Sequence, residues 1–156
     1  MANTYSKIYY HIVFAVKYRR ALITEKVKEP LYKYITGIVT NQGQKLLIIN
    51  GYHDHVHLLV CCKPAMRIDE LVKEIKEHSS KYVNANRLTP NKFLWQGGYG
   101  VFSLSERNID GVFSYIRNQE AHHARQNFRE EYTSMLKAAA IEYDDKYLFE
   151  ELQDNE

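Results

Sequence analysis

Between Lys7 and Tyr18 the residues Ile8, Tyr10, Ile12, Phe14 and Val16 alternate with Tyr9, His11, Val13 and Ala15, so a period-two segment carries apolar side chains on both faces. A strand of that kind is a central strand, covered on both sides, and the rest of the chain has to supply the cover. Thr24 is placed to cap a helix running to about Asn41, with Leu31, Ile35, Ile38 and Val39 as its buried stripe, Gly43 as its stop and Pro30 delaying or kinking its start. Lys45–Asn50 and His55–Cys62 read as two strands whose short connection, Gly51–Asp54, makes them an antiparallel hairpin, and Pro64 ends the second. Ile68, Leu71, Val72 and Ile75 follow the i, i+3, i+4, i+7 spacing of a second helix that fades near Asn84–Pro90. The aromatic, glycine-rich segment Phe93–Ser105 reads as a bent or bulged fourth strand. Ile109, Val112, Phe113 and Ile116 begin a third helix, and Phe128, Tyr132, Met135, Leu136 and Ala139 mark a fourth.

The order strand, helix, strand, strand, helix, strand predicts an α+β, ferredoxin-like (βαββαβ) antiparallel sheet with helices on one face, plus C-terminal helices that carry a tyrosine. With 156 residues, 45% apolar and 26% charged, the chain suits one domain over 1–156 and is too short for two. No apolar run reaches the roughly 18 residues of a membrane helix and the N-terminus alternates like a strand, so no membrane role and a cytoplasmic location are expected. Cys61 and Cys62, adjacent in an apolar run, read as buried thiols of a reducing compartment. A net charge of +2 and pI near 8.4 permit an anionic partner without requiring one. Thirteen tyrosines supply rings able to stack on bases, although amphipathic rim positions account for most of them.

The densest cluster of reactive side chains is Gly51-Tyr52-His53-Asp54-His55-Val56-His57. His55 and His57, two apart on a strand, share one face and can aim neutral nitrogens at a single cation, while Val56, Leu58 and Val60 cover the other face. His53 falls in the turn. The second cluster, Ser114-Tyr115-Ile116-Arg117-Asn118-Gln119, sets Tyr115 and Gln119 four apart on one helical face, beside the stripe that docks the helix. His122 and His123 come back to roughly that side but read as a solvated helix end, and His11 reads as a hydrogen-bonded core histidine able to face the same cavity. Lys17, Arg19 and Arg20 form the tightest basic cluster, with Arg67 and Lys76 among further cations that could follow a phosphate backbone. Gly97, Gly98 and Gly100 open no helix and make no phosphate loop.

His55-Val56-His57 followed by Tyr115-Ile116-Arg117-Asn118-Gln119 resembles the small insertion-sequence transposases of the HUH, single-tyrosine type. Lys17-Tyr18-Arg19-Arg20, Trp95-Gln96-Gly97-Gly98-Tyr99-Gly100, His122-His123, Phe128-Arg129-Glu130-Glu131-Tyr132 and Ile141-Glu142-Tyr143 extend the resemblance over nearly the whole chain. It implies a transposase that cleaves and rejoins single-stranded DNA, with Tyr115 attacking a phosphate to leave a 5′-phosphotyrosine and a free 3′-OH. It also implies a divalent cation, Mg²⁺ or Mn²⁺, held by His55, His57 and Gln119, with no nucleotide cofactor required; by their spacing His11, His122 and His123 fall where they could stand behind that set. The implied partners are hairpin ends of single-stranded DNA and a second copy of the chain, in a homodimer with a shared active site. The chemistry agrees. A phenol with a pKa of about 10 needs help to attack at neutral pH, and neutral ligands leave the cation its charge for the phosphate.

Three other readings use the same residues: a non-catalytic single-stranded nucleic-acid-binding module on a ferredoxin-like sheet, a zinc hydrolase built on His53, His55 and His57, and a related HUH nicking enzyme. The glycine-aromatic strand motif usual in the first is not evident.

Overall fold

A computed structural model describes residues 3–149. The strands are β1 (Ile8–Ala15), β2 (Lys45–Tyr52), β3 (His55–Cys62) and β4 (Gly100–Leu104). The helices are α1 (Glu25–Asn41), α2 (Ile68–Ala85), α3 (Ile109–Arg117), α4 (Gln119–His123) and α5 (Phe128–Ala138). The sheet order is β2-β3-β1-β4 with every neighbouring pair antiparallel, so β1 and β3 are the inner strands, as the two-sided apolar pattern of β1 predicts. The architecture is α+β, with the β-α-β-β-α-β order expected from the sequence.

Strand periodicity divides the sheet into two unlike faces. Ile12, Phe14, Val56, Leu58 and Val60 join Val27, Leu31 and Ile35 of α1 and Leu71, Val72 and Ile75 of α2 in the main core. On the other face Val13 and Ala15 pack with Phe128 of α5 and Phe149 in a smaller cluster. His11, His55 and His57 belong to that second face, which gives it chemistry where the first has only packing.

Three expectations need correction. Pro30 neither delays nor breaks α1, which starts at Glu25 after Thr24 and runs through it. The segment Phe93–Ser105 is a strand only from Gly100 to Leu104. Ahead of it, Trp95 stands edge-on to Phe14 and Phe93 and donates its indole N–H to Ser79 Oγ at 2.9 Å. Trp95 is bridged antiparallel to Val16, with Lys17 N donating to the Leu94 carbonyl and Gln96 N to the Ala15 carbonyl. Lys76 Nζ takes the carbonyls of Gln96 (2.7 Å) and Gly98 (2.5 Å), and Gly98 sits at φ +85°, so between that bridge and β4 the segment bulges away from β1 and is held from the helix side. The third helix is divided at Asn118 (φ −97°, ψ 24°). Asn50 of β2 donates its side-chain amide to the carbonyls of Ile116 and Arg117, both at 3.0 Å, and so caps the end of α3 from the sheet.

Candidate active site

The hairpin β2–β3 turns in two residues, His53 and Asp54, and the strand that leaves it begins with His55. Gly51 stands opposite Val56, and a Cβ there would lie 2.1 Å from the His55 carbonyl oxygen, so only glycine allows the strands this approach. His55 and His57 then point to one face, both fully buried. His53 is not with them: it lies in the turn, its ring stacked on Tyr52 at 4.2 Å.

Each buried imidazole is oriented through its Nδ1. Asp54 Oδ1 lies 2.7 Å from His55 Nδ1, and His11 Nε2 lies 2.8 Å from His57 Nδ1 across the β1–β3 pair. With a proton on each Nδ1, both Nε2 lone pairs face the space between the sheet and α3–α5. Burial pushes His57 down to about 4 and His11 to about 3, so both are neutral at pH 7. Burial also acts to lower His55, but its hydrogen bonds to Asp54 and Glu131 outweigh that and raise it.

Three helices supply the other side. Gln119, the first residue of α4 and fully buried, sets its amide oxygen 3.1 Å from His55 Nε2. Glu131 of α5, 2% exposed, brings Oε1 to 3.0 Å from His57 Nε2, 3.2 Å from His55 Nε2 and 3.0 Å from His123 Nε2. Its Oε2 accepts from Gln119 Nε2 at 3.0 Å and from the Tyr115 hydroxyl of α3. Burial alone would raise the Glu131 carboxyl, but hydrogen bonds with His123, His55 and His57 hold it well below the usual carboxylate range, so it is an anion. Tyr115 is shifted the opposite way, since burial and the neighbouring carboxylate both raise its phenol above 10. Phe128, one turn before Glu131, stacks on His55 with ring centroids 4.0 Å apart.

This donor set fits a divalent cation. Two ligands bound at about 2.1 Å and at right angles stand about 3.0 Å apart, close to the nitrogen–oxygen separations found here. Ligand atoms of His55, His57 and Glu131 all lie within 4.8 Å of one another. Two imidazoles with one amide and one carboxylate oxygen suit Mg²⁺, Mn²⁺ or Zn²⁺.

The structure thus gathers His55, His57, Gln119 and Tyr115, with His11 behind His57. His122 and His123 do not form a solvated end: the His123 side chain is 3% exposed and meets Glu131, and the His122 ring lies 4.6 Å from that of Tyr115. Glu131 is the residue that sequence reasoning passed over. Its signal was a carboxylate three residues after Phe128 and four before Met135, inside the apolar stripe of a helix.

Of the basic residues, Lys17 and Arg19 form a 3-10 turn just past β1, and Arg20 follows it, at the sheet end where Ala15 pairs with His55. The Arg19 guanidinium lies over the Phe149 ring at 5.0 Å, and that of Arg20 over Tyr18 at 5.6 Å. Lys76 holds the Gln96–Gly98 carbonyls. Arg67 lies past the opposite end of β3, paired with Asp69 at 2.7 Å. Beside the cluster a cavity of about 400 Å³ opens between Gln96, Tyr99, Phe128, Tyr132 and Tyr147.

Residues 4–119 match the family described as "Transposase IS200 like". The chain is 28% identical over 115 residues to the ISDra2 transposase TnpA of Deinococcus radiodurans, covering 70% of this chain and 82% of that protein. It is 25% identical over 124 residues to the transposase for insertion sequence element IS200 of Salmonella typhimurium, covering 76% and 81% respectively. Among solved structures, a Deinococcus radiodurans R1 protein assigned as a transposase superposes with a TM-score of 0.61 at 29% identity, covering 76% of this chain and 95% of that one. A REP-associated tyrosine transposase bound to a REP hairpin superposes with the same TM-score, 0.61, at 13% identity over 79% of this chain and 73% of that one, a likeness of fold.

Proposed function

Because the chain belongs to the IS200-like transposase family, we propose that it cuts and rejoins single-stranded DNA at insertion-sequence ends, with Tyr115 as nucleophile. The Tyr115 oxygen attacks the scissile phosphorus, the bond to the 3′-oxygen breaks, and the 5′-phosphate stays on the tyrosine. The phenol loses its proton and the departing 3′-oxygen gains one. A phosphotyrosine diester conserves the energy of the broken bond, so a 3′-OH can reverse the step and join a new end. No nucleotide cofactor enters this scheme.

The observation that carries the reading is the meeting of the Tyr115 hydroxyl, the His55 and His57 imidazoles and the Gln119 amide around one buried point. His55, His57 and Gln119 would hold the cation, Mg²⁺ or Mn²⁺ in this reading, and a cation there supplies Lewis acidity to the phosphate and the departing oxygen. Asp54 and His11 keep the imidazoles turned toward it. Tyr115, whose phenol is raised, is inert without such help. His122 and His123 border the nucleophile and the carboxylate.

In the same reading Lys17, Arg19 and Arg20 follow the phosphates entering the site, Lys76 steadies the loop beside them, and Arg67 meets DNA only at a distance. The aromatic cavity suits unpaired bases of a strand leaving a hairpin end. The domain is taken as residues 1–156, acting in the cytoplasm; no helix among the described residues is long and apolar enough to cross a membrane. Pairing into a homodimer belongs to this reading. So does an active site shared between the copies, in which the tyrosine helix that reaches the His pair of its own chain is exchanged for the partner's.

The test incubates single-stranded hairpin DNA from the flanks of the protein's own gene with Mn²⁺. The wild type is expected to cleave it, Tyr115→Phe to bind it without cleaving, and chelator to stop the wild type. Cleavage by Tyr115→Phe at the wild-type rate would overturn the reading.

A further inference from the structure

We propose that Glu131 is a bridging carboxylate of the active centre, one oxygen completing the cation site of His55 and His57 and the other holding the Tyr115 hydroxyl in place. The inference rests on the functional reading above and deepens it, since it assigns to α5 a role that neither the H-x-H pattern nor the tyrosine helix contains.

Burial is the first ground. An ionised carboxylate 2% exposed must be met by cations or several donors, and Glu131 is met on every side by site groups: His55, His57 and His123 at Oε1, Gln119 and Tyr115 at Oε2. Geometry is the second. The Oε1 separations of 3.0 Å to His57 Nε2 and 3.2 Å to His55 Nε2 match edges of a coordination shell with bonds of about 2.1 Å, and the 3.1 Å between His55 Nε2 and Gln119 Oε1 is a third such edge. Positioning is the third. The second oxygen accepts from the Tyr115 hydroxyl, so the carboxylate that meets the cation also helps to fix where the nucleophile stands. His123 then acts as a positioning residue, through the carboxylate it contacts at 3.0 Å. The anionic ligand also revises the charge of the site, since two imidazoles and an amide leave a divalent ion its full charge and Glu131 lowers it by one.

The test is Mn²⁺ affinity of the full chain, read from the paramagnetic resonance of free Mn²⁺. Glu131→Gln, which keeps the shape and removes the charge, is expected to weaken Mn²⁺ binding at least tenfold, while Tyr115→Phe leaves it within twofold of wild type. A folded Glu131→Gln protein that binds Mn²⁺ as wild type does would overturn the proposal. Should that variant not fold, wild-type protein labelled at the glutamate side-chain carboxyl carbons answers alone. Substoichiometric Mn²⁺ is expected to broaden one carboxyl resonance selectively, and no selective broadening overturns the proposal. Mn²⁺ binding through Glu131 without any Tyr115–DNA adduct would leave the ligand assignment standing and remove the transposase reading. An adduct formed with Mn²⁺ affinity indifferent to Glu131→Gln would do the reverse.

Discussion

Asp54 shows how one side chain in a turn governs chemistry on the strand after it. Its carboxylate, 2.7 Å from His55 Nδ1, keeps the proton on that nitrogen and leaves Nε2 free for a cation. Asp54→Ala is therefore expected to weaken Mn²⁺ binding by about 10–100-fold while leaving the fold intact, checked by Mn²⁺ titration beside a thermal melt. Unchanged affinity would mean that the ring is oriented by packing on Phe128 alone. At this scale the sequence was informative where period and chemistry coincided: His55 and His57 had to share a face once His55–Cys62 was a strand. Glu131 was not legible as a site residue because a helical carboxylate normally points to water, and only the packing of α5 against the sheet turns it inward. His123 was hidden for the same reason, its partner lying on another helix.

Among the elements, α5 matters beyond its length. Asn127 caps it, the side-chain oxygen accepting from Glu130 N at 2.9 Å, immediately before Phe128 and Glu131 enter the site. Asn127→Ala is expected to cost about 1 kcal/mol of stability, a fall in Tm of roughly 2–4 °C for a domain of this size, measured by thermal melting; no change would mean the first turn is held by tertiary contacts. The element order was readable because apolar periodicity is local. The division of the tyrosine helix at Asn118 and the shortness of β4 were not, since Asn50 and Lys76, which claim the carbonyls concerned, are distant in sequence. Pro30 misled because α1 starts at Glu25 and runs through it at its sixth residue, forgoing the one backbone bond that proline cannot donate.

For the molecule as a whole, the two faces of the sheet divide the labour. α1 and α2 close one face with an apolar core, and α3, α4 and α5 close the other around polar groups. With an active site shared between two copies, a mixture of His57→Ala and Tyr115→Phe proteins is expected to form a covalent DNA adduct that neither forms alone. No adduct on mixing, followed by denaturing electrophoresis, would show that each chain closes its site with its own tyrosine helix. The central claim is that Tyr115 itself becomes esterified to DNA, and the most direct measurement is mass spectrometry of the peptide carrying it after reaction of the protein with its own gene's single-stranded flanks and Mn²⁺. A nucleotide phosphate on Tyr115, lost when chelator is present, is the predicted result; a modification on another residue, or cleaved DNA with an unmodified Tyr115 peptide throughout, would contradict it.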